Sequence, residues 1–344
     1  MSHWKLLLVT VAAARVLAAG QGYSATWERI KGVDAVRLAA PGDSAVVLIA
    51  PSLGNKAFDF RVNGLPVLAP SGEQPDPAAS GIPLLAPWAN RLDGDYFWSN
   101  GKRYLLNPAL DTIQYDESHQ PLHGLLGSAA WRVVDLRSAA GAAEVTSELE
   151  FWRYPNWMAQ FPFAHRLRMT YRLRERTLEV RTTIENLATE PMPVAIGYHP
   201  YFVIGDAPRN SWKLHLAARE RMELSPTKIP TGKRSPVRFS DPLRLDGVYL
   251  DDVFTGLVRD ANGNATFSVE GARQKVTIVF GPKFRSAVVY APANRDVVCI
   301  EPMAAPTDAL NLAHRGLYDG LQTIAPSGEW SESFWITADG WTRQ

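Results

Sequence analysis

The stretch RMTYRLRERTLEVRTTIEN, residues 168–186, places the strongest constraint on the fold, because its side chains alternate between apolar and charged. Met169, Tyr171 and Leu173 would lie on one face of a first strand, with arginines on the other face. Leu178 begins the same alternation in a second strand. A period of two is that of a β-strand with one buried face. The stretch therefore predicts two neighbouring antiparallel strands whose arginines face solvent.

Short segments of the same kind recur along the chain and are separated by Gly, Pro and Asn turns. Their spacing, roughly 8 to 12 residues, is typical of sandwich folds. No stretch shows the period and the caps of an amphipathic helix of three or more turns. We therefore expect an all-β fold, a large antiparallel β-sandwich with few short helices. A chain of 344 residues can bury a sizeable core in one such unit.

The first 20 residues have the layout of a secretory signal peptide, with a polar start at Lys5, an apolar stretch and small residues at its end. Cleavage after Gly20 fits this layout, although Arg15 interrupts the apolar stretch. The stretch is short for a transmembrane helix. We expect residues 1–20 to be removed on export to the periplasm or the medium, and residues 25–340 to form a single β-sandwich domain without stable membrane insertion. If the segment is not a signal, the protein is cytoplasmic.

Charge and cysteine content narrow the range of partners and cofactors. Lys and Arg number 36 against 35 Asp and Glu, so no excess of positive charge attracts the chain to nucleic acid. A neutral small molecule is the expected partner. Cys299 is the only cysteine, which excludes an intrachain disulfide and a cysteine-based zinc site. The sequence also lacks the glycine-rich phosphate loops, Gly-x-Ser-x-Gly elbows and His-Glu-x-x-His pairs of common enzyme classes.

Three short motifs carry basic side chains that could take part in chemistry. Asn90 and Arg91 precede a Gly-Asp turn, and the arginine offers a rigid fork of donors suited to sugar oxygens. His123 precedes a glycine, which permits close approach of a ligand. His199 lies in GYHPYF, where the following proline keeps it extended. Each motif also has a structural interpretation, as a surface arginine beside a turn or as a histidine bonded within the core.

Two further motifs contribute carboxylates. Asp251 and Asp252 are adjacent in YLDDVF, so on a strand at most one of them can face a given site. Glu301 ends the apolar run VVCI, where burial would raise the pKa of its carboxyl toward the range useful for a general base. Glutamate is rarely fully buried without a partner, so Glu301 is the least ordinary residue in the chain.

Taken together and in this order, the motifs NR, HGL, GYHPYF, LDDVF and EP with a later Asn resemble those of the aldose 1-epimerase (mutarotase) family. The resemblance extends from about residue 30 to about residue 340. It implies a galactose mutarotase-like sandwich with a shallow open cleft, which interconverts the α and β anomers of a free sugar without a metal or an organic cofactor. It also implies a monosaccharide as the partner and favours a monomer.

Carried over by position, the resemblance assigns a role to each motif. Glu301 resembles the general base that removes the proton from the anomeric hydroxyl. His199 resembles the general acid that protonates the ring oxygen. The remaining candidates would bind the substrate, at its ring-oxygen side or through its hydroxyls, and are Asn90, Arg91, His123 and Asp251, with Asp252 the less favoured of the two adjacent aspartates.

The sequence around the histidine departs from that of galactose-specific members. Their histidine lies in an Asn-His-Ser/Thr-Tyr-Phe context, whereas Tyr198 and Pro200 flank it here. The catalytic assignment does not depend on these neighbours, but a preference for galactose does not follow. Some relatives act on hexose 6-phosphates, which an exported protein would seldom meet. The Trp-rich segment 151–163 could line the cleft and alter specificity, or it could pack at a sheet edge.

Three alternatives remain open from the sequence. A sandwich-fold glycoside hydrolase or lyase could use Glu301 with Asp251 or Asp252, since two carboxylates flanking a glycosidic bond suffice for hydrolysis. A carbohydrate-binding protein could keep the cleft without turnover. A metal site could use His123 and His199 with the carboxylates, although the chain lacks a short-range ligand pair such as His-x-His.

Overall fold

The computed structural model describes residues 22–139 and 141–342. The predicted signal peptide, residues 1–20, lies outside the described residues. Within them, no helix is long and apolar enough to cross a membrane.

The described residues form 28 strands, many of them short, joined by turns and loops. In chain order they are β1 (Ser24–Ile30), β2 (Val33–Ala39), β3 (Ala45–Ala50), β4 (Lys56–Val62), β5 (Leu65–Pro66), β6 (Leu84–Leu85), β7 (Tyr96–Ser99), β8 (Lys102–Leu105), β9 (Gln114–Tyr115), β10 (Pro121–Leu122), β11 (Arg132–Ala139), β12 (Ala142–Glu150), β13 (His165–Arg174), β14 (Thr177–Asn186), β15 (Met192–Val194), β16 (Gly197–Tyr198), β17 (Tyr201–Phe202), β18 (Lys213–His215), β19 (Ala218–Leu224), β20 (Pro230–Pro236), β21 (Leu243–Arg244), β22 (Leu250–Leu257), β23 (Ala265–Glu270), β24 (Lys275–Phe280), β25 (Ser286–Ala291), β26 (Val298–Met303), β27 (Gln322–Ile324) and β28 (Glu329–Asp339).

The helices within the described residues are short, as the sequence predicts. The two α-helices are α1 (Pro155–Gln160) and α2 (Ala309–His314), and single 3₁₀ turns occur at Pro41–Asp43, Pro108–Leu110, Phe151–Arg153 and Arg209–Ser211.

Three large sheets account for most of the strands. A five-stranded sheet has the order β1-β2-β3-β4-β5, and a nine-stranded sheet has the order β11-β12-β13-β14-β28-β24-β23-β18-β21. An eight-stranded sheet has the order β20-β19-β22-β25-β26-β16-β6, with β17 also paired to β26. The strand pairs within these sheets are antiparallel, which confirms the predicted all-β class with few short helices.

The two strands predicted from the alternating stretch are β13 and β14, which pair in antiparallel register with Tyr171 opposite Val180. Their apolar side chains are buried, as expected for the inner face. The arginines on the outer face do more than contact solvent. Arg168 donates to Glu148 at 2.9 Å on the neighbouring strand β12. The outer face is therefore a ladder of opposite charges, in which cross-strand pairs each contribute modestly.

One continuous cluster of buried apolar side chains extends from Val36 to Trp341 and joins the large sheets. Cys299 is a buried free thiol within strand β26, and burial raises its pKa well above the usual value. Such a thiol is inert packing. Strand β26 is buried along its whole length, and it carries Glu301.

Candidate active site

Strand register brings His199 to Glu301. Strand β16 pairs Gly197 with Met303, and strand β17 pairs Tyr201 with Cys299, both on β26. Counting inward from these two pairs by two residues along each chain places residue 199 opposite residue 301. The GYHPYF motif is thus two short strands around a His-Pro break, both bound to the strand that carries the glutamate.

The two side chains meet in the structure. Nε2 of His199 lies 3.2 Å from Oε1 of Glu301. His199 is 9% exposed and Glu301 is 1% exposed. Their close approach lacks the alignment of a hydrogen bond, and neither carboxylate oxygen of Glu301 accepts one from the described residues. A buried carboxyl group without donors is costly in a folded protein and is a common feature of functional sites.

Burial changes the proton affinity of both groups in the direction of the neutral forms. It raises the pKa of Glu301 well above its usual value; the charge of Asp251 adds to this increase and Arg91 opposes it. Burial also lowers the pKa of His199 to about 3, and His123 contributes to the decrease. Burial therefore shifts both groups toward their neutral forms, a carboxyl group for Glu301 and an uncharged imidazole for His199.

The same sheet decides which of the two adjacent aspartates faces the pair. In strand β22, Asp251 is opposite Tyr290 of β25, which is in turn opposite Cys299 of β26. Residues directly opposite in a sheet point to the same face, and Glu301 follows Cys299 by two positions. Asp251 therefore lies on the face of Glu301, and it lines the cleft around the pair.

Asp252 points to the other face of the strand. It lies 3.6 Å from Arg221 and does not line the cleft. Asp251 instead has Lys228 as its neighbour, at 3.6 Å. Of the two aspartates that the sequence left open, only Asp251 is placed to contact a ligand beside Glu301.

The NR and HGL motifs are bound to each other by backbone hydrogen bonds. The amide of His123 donates to the carbonyl of Asn90 at 2.8 Å, and the amide of Leu92 donates to the carbonyl of Pro121 at 3.0 Å. Asn90 and His123 both adopt left-handed backbone conformations, with φ of 58° and 63°. Such conformations are uncommon outside glycine and concentrate at functional sites.

Gly124 is required for this arrangement. Its φ is 72°, and a Cβ atom at this position would lie 2.0 Å from the carbonyl oxygen of Ala86. The amide of Leu125 donates to the same oxygen at 2.7 Å. Close approach of the two backbones therefore excludes any side chain at residue 124 and fixes the position of His123 beside the catalytic candidates.

The ring of His123 meets that of His199 edge to face, with 5.6 Å between the ring centroids. Burial lowers the pKa of His123 to about 4, and the charge of Arg91 lowers it further. Nδ1 of His123 is buried without a hydrogen-bond partner among the described residues. The ring itself lines the cleft, where a neutral imidazole can donate from one nitrogen and accept at the other.

Arg91 is held at its Nε and Nη1 atoms and is positioned toward the cleft. Its Nε donates to Oδ2 of Asp116 at 2.5 Å, and its Nη1 donates to Oδ1 of Asn90 at 3.1 Å. Asp116 in turn accepts from the backbone amides of Ser118 and Gln120. The arginine is thus pre-organised, which lowers the entropic cost of binding a ligand.

These side chains surround one cleft of about 610 Å³, which all six candidate residues of the sequence line: Asn90, Arg91, His123, His199, Asp251 and Glu301. The cleft also holds residues that the motifs did not indicate. Tyr201 stacks on the ring of His199 with 4.5 Å between centroids, and Tyr249 and Tyr290 form further walls. Aromatic rings of this kind suit the apolar faces of sugars.

The aromatic residues near the candidate site divide between the cleft and the core. Tyr198 and Phe202 of GYHPYF are buried in the core, so only Tyr201 of the three aromatic residues in this motif lines the cleft. The Trp-rich segment 151–163 does not line the cleft, and its Phe161 packs against Phe97. It therefore acts in packing.

Within the described ranges, 22–139 and 141–342, no group of three or more His, Cys, Asp and Glu side chains is arranged to hold a metal ion.

Comparison with known proteins identifies the family. A family model described as aldose 1-epimerase matches residues 47–337. The chain belongs to the aldose 1-epimerase family. It is an enzyme, an isomerase that acts on carbohydrates, and its substrates are small sugars.

Solved structures of similar proteins share the fold of this family member. A galactose mutarotase-like protein from Clostridium acetobutylicum superposes with a TM-score of 0.82 at 19% identity, over 93% of this chain and 99% of that one. A galactose 1-epimerase from Lactobacillus acidophilus superposes with a TM-score of 0.69 at 13% identity, over 92% and 99% of the two chains. The aldose 1-epimerase fold is thus retained at low sequence identity.

Among curated proteins, the chain is 23% identical over 279 residues to the uncharacterized protein YihR of Escherichia coli. The aligned residues make up 79% of this chain and 84% of that protein. The alignment extends over most of both chains. It does not identify the sugar.

Proposed function

We propose that this protein is a mutarotase, which interconverts the α and β anomers of a free aldose by opening and reclosing the sugar ring. The observation that supports this proposal most directly is the contact of 3.2 Å between Nε2 of His199 and Oε1 of Glu301. Ring opening requires one group at O1 and another at the ring oxygen. Because both oxygens are bonded to C1, the acid and the base must lie close together, as these two side chains do.

The reaction needs only proton transfers to and from these two groups. The carboxylate of Glu301 takes the proton of the O1 hydroxyl while the imidazolium of His199 gives a proton to the ring oxygen. The bond between C1 and the ring oxygen breaks, and an aldehyde forms at C1. Rotation about the C1–C2 bond presents the other face of the aldehyde. Reclosure then reverses both proton transfers and returns the two side chains to their starting forms.

The cycle requires one exchangeable proton on the pair. One proton on the pair gives either a carboxylate with an imidazolium or a carboxyl with a neutral imidazole, and the cycle alternates between these two forms. Burial favours the neutral form in the empty cleft, because it raises the pKa of Glu301 and lowers that of His199. The same burial makes the carboxylate of Glu301 a stronger base and the imidazolium of His199 a stronger acid when the sugar is bound.

The remaining residues of the cleft would hold the sugar in place. Arg91 and His123 can donate to oxygens on the side of the cleft formed by the NR and HGL motifs, with Asn90 fixing the arginine. Asp251 can accept from sugar hydroxyls on the side of Glu301. Groups fixed before binding lower the entropic part of the barrier, and a general acid or base contributes about 10² to 10⁴ in rate.

A polarimetric assay tests the proposal. Fresh solutions of α-glucose, α-galactose and other common hexoses and pentoses are followed with and without the purified protein and with added chelator. We expect faster relaxation to the unchanged equilibrium for at least one sugar, with no effect of the chelator. If the panel relaxes at the uncatalysed rate, the proposal is wrong.

The alternatives have their own outcomes in the same set of measurements. Release of reducing ends from an oligosaccharide would favour a glycoside hydrolase or lyase. Sugar binding without any change in relaxation would favour a carbohydrate-binding protein. The panel also identifies the preferred aldose, because Tyr198 and Pro200 in the histidine motif leave galactose no stronger a candidate than other sugars.

We also propose that the protein is exported after removal of residues 1–20 and acts as a monomer. N-terminal sequencing of the protein from its native host should give a chain that starts at Gln21 in the exported fraction. Sedimentation of this mature chain should give the mass of one copy. Intact Met1 on protein in the cytoplasmic fraction would contradict the export.

A further inference from the structure

A second buried carboxylate lies on the segment that leaves the strand of Glu301. Asp308 follows the end of β26 and directly precedes α2, and it is 1% exposed. Its backbone is left-handed, with φ of 58°. Burial raises the pKa of Asp308 to about 6, although its hydrogen bonds and the charge of Arg315 oppose the increase. None of the motifs in the sequence indicated this residue.

Asp308 binds the backbone on both sides of the residue that follows Arg91. Its own amide donates to the carbonyl of Arg91 at 3.0 Å. Its Oδ1 accepts from the amide of Asp93 at 3.0 Å. Two bonds from one residue therefore fix the backbone of the segment 91–93, from which the arginine reaches the cleft.

The carboxylate of Asp308 is itself held by two side chains of the same region. Oδ1 accepts from Nδ2 of Asn311 at 2.7 Å, and Oδ2 accepts from Nη2 of Arg315 at 2.7 Å. Arg315 also lies 3.6 Å from the carboxylate of Asp93. The charge of Asp308 is thus paired, and a buried pair of this kind is strongly disturbed when one partner is removed.

The link reaches the catalytic candidates through Arg91. The charge of Arg91 lowers the pKa of Glu301 and that of His123. A change in the position of the arginine therefore changes both the hold on the sugar and the proton affinity of the base. Displacements of about 1 Å in such groups can cost up to about a hundredfold in rate.

We propose that Asp308 is a positioning residue for the reaction, which ties the segment after Glu301 to the loop of Arg91 and so keeps the base and the arginine in fixed register across the cleft. This inference rests on the proposed mutarotase function. Asp308 does not line the cleft and acts on the sugar only through Arg91.

A double-variant cycle tests this dependence. Asp308→Asn keeps the size of the side chain and removes its charge, and Arg91→Met removes the guanidinium through which Asp308 acts. We expect Asp308→Asn to lower kcat/KM about tenfold in the native background and less than twofold in the Arg91→Met background, since residues that act as a unit are not additive. Equal fold losses in the two backgrounds would overturn the proposal, as would unchanged kcat/KM for Asp308→Asn alone.

The matched control is Asp206→Asn. Asp206 also accepts from backbone amides of a distant loop, those of Arg273 at 2.6 Å and Gln274 at 2.9 Å, but it does not line the cleft or contact the loop of Arg91. We expect this variant to keep native kcat/KM. Loss equal to that of Asp308→Asn would mean that any loop-binding aspartate gives the effect, and the proposal would fail.

The pH profile gives a readout that a purely structural role would not change. Protonation of Asp308 as the pH falls through about 6 removes its charge opposite Arg315, with Asp93 as the other charged neighbour. We expect kcat/KM of the native enzyme to fall through this range and the inflection to be absent in Asp308→Asn. An inflection of the same position and size in both proteins would overturn the proposal.

Two further measurements keep the test decisive. If Asp308→Asn does not fold, Arg315→Gln removes the partner charge from a side chain that is 41% exposed, and it should show the same lack of additivity with Arg91→Met.

If the native protein shows no mutarotation, the proposed function fails, and the same cycle is then measured as sugar affinity by calorimetry. Additive losses in either measurement would overturn the role of Asp308.

Discussion

The segment 301–308 has a buried carboxylate at each end, and the two differ in the hydrogen-bond donors around them. Glu301 is buried without a hydrogen-bond donor from the described residues, and it faces a histidine and a cleft. Asp308 is buried equally well but accepts from an amide, an asparagine and an arginine. The comparison distinguishes a carboxylate that can react from one that supports the structure. A carboxylate left without donors is available to take a proton from a ligand, whereas one surrounded by donors fixes the backbone around it.

The largest effect on activity is expected from substitution of the reactive carboxylate. Glu301→Gln keeps the shape of the side chain but cannot take a proton, so kcat should fall by about 10² to 10⁴. Asp308→Asn should cost only about tenfold, because it acts on position and not on proton transfer. Polarimetry of the two variants under the same conditions checks the order. A larger loss in Asp308→Asn than in Glu301→Gln would contradict it.

A smaller effect is expected at the adjacent aspartates, which form a matched pair on one strand. Asp251→Asn should raise KM about tenfold with little change in kcat, because a charged hydrogen bond to the sugar is lost. Asp252→Asn should change KM less than twofold, since its side chain points away from the cleft. Steady-state kinetics on both variants checks the assignment. Equal effects of the two substitutions would show that strand register does not select Asp251.

The smallest effect is expected in thermal stability, where substitutions of the two carboxylates should change Tm in opposite directions. Because the folded protein raises the pKa of Glu301, it favours the protonated form. The contribution of this group to the free energy of unfolding is fully present below the unfolded pKa of about 4.3. It is lost as the pH rises toward the folded pKa. Glu301→Gln should therefore raise Tm by about 2 °C at pH 8 and by less at pH 4.5.

The opposite sign is expected for Asp308→Asn, although the pKa of Asp308 is also raised. The new amide would turn its N–H donors toward the guanidinium of Arg315, which then loses its acceptor, so Tm should fall at pH 8. Calorimetric scans at the two pH values check both variants. A gain in Tm for Glu301→Gln that is the same at pH 4.5 and pH 8 would show that its ionisation is not the cause. A gain for Asp308→Asn at pH 8 would remove the distinction between the two carboxylates.

Much of the fold could be predicted from local patterns. The alternation around Tyr171 and Val180 gives a strand pair in the correct antiparallel relation, because one buried face imposes a period of two on the sequence. The candidate site could be predicted from residue types that are unusual in their settings, above all a glutamate in an apolar run. The family resemblance supplied the roles, which no local pattern contains.

The remaining features depend on contacts between distant parts of the chain. Nothing in the sequence near Asp116 or Asp308 indicates Arg91 as a partner, since loop conformation alone brings them together. The choice between Asp251 and Asp252 required the register of three strands. Tyr201 could be separated from the buried Tyr198 only when the pairing of both short strands with β26 was known. Long-range register is a tertiary property, which periodicity alone does not encode.

The central claim is that His199 and Glu301 act as one proton-transfer unit, and the most direct test is a double-variant cycle on this pair. Relaxation rates of a fresh α-sugar are measured with the native protein, His199→Asn, Glu301→Gln and the double variant, and sugar affinity is measured for each. We predict that each single variant loses nearly as much kcat as the double variant, about 10² to 10⁴, while affinity changes only a few-fold. Losses that multiply in the double variant, or kcat retained by either single variant, would contradict the account.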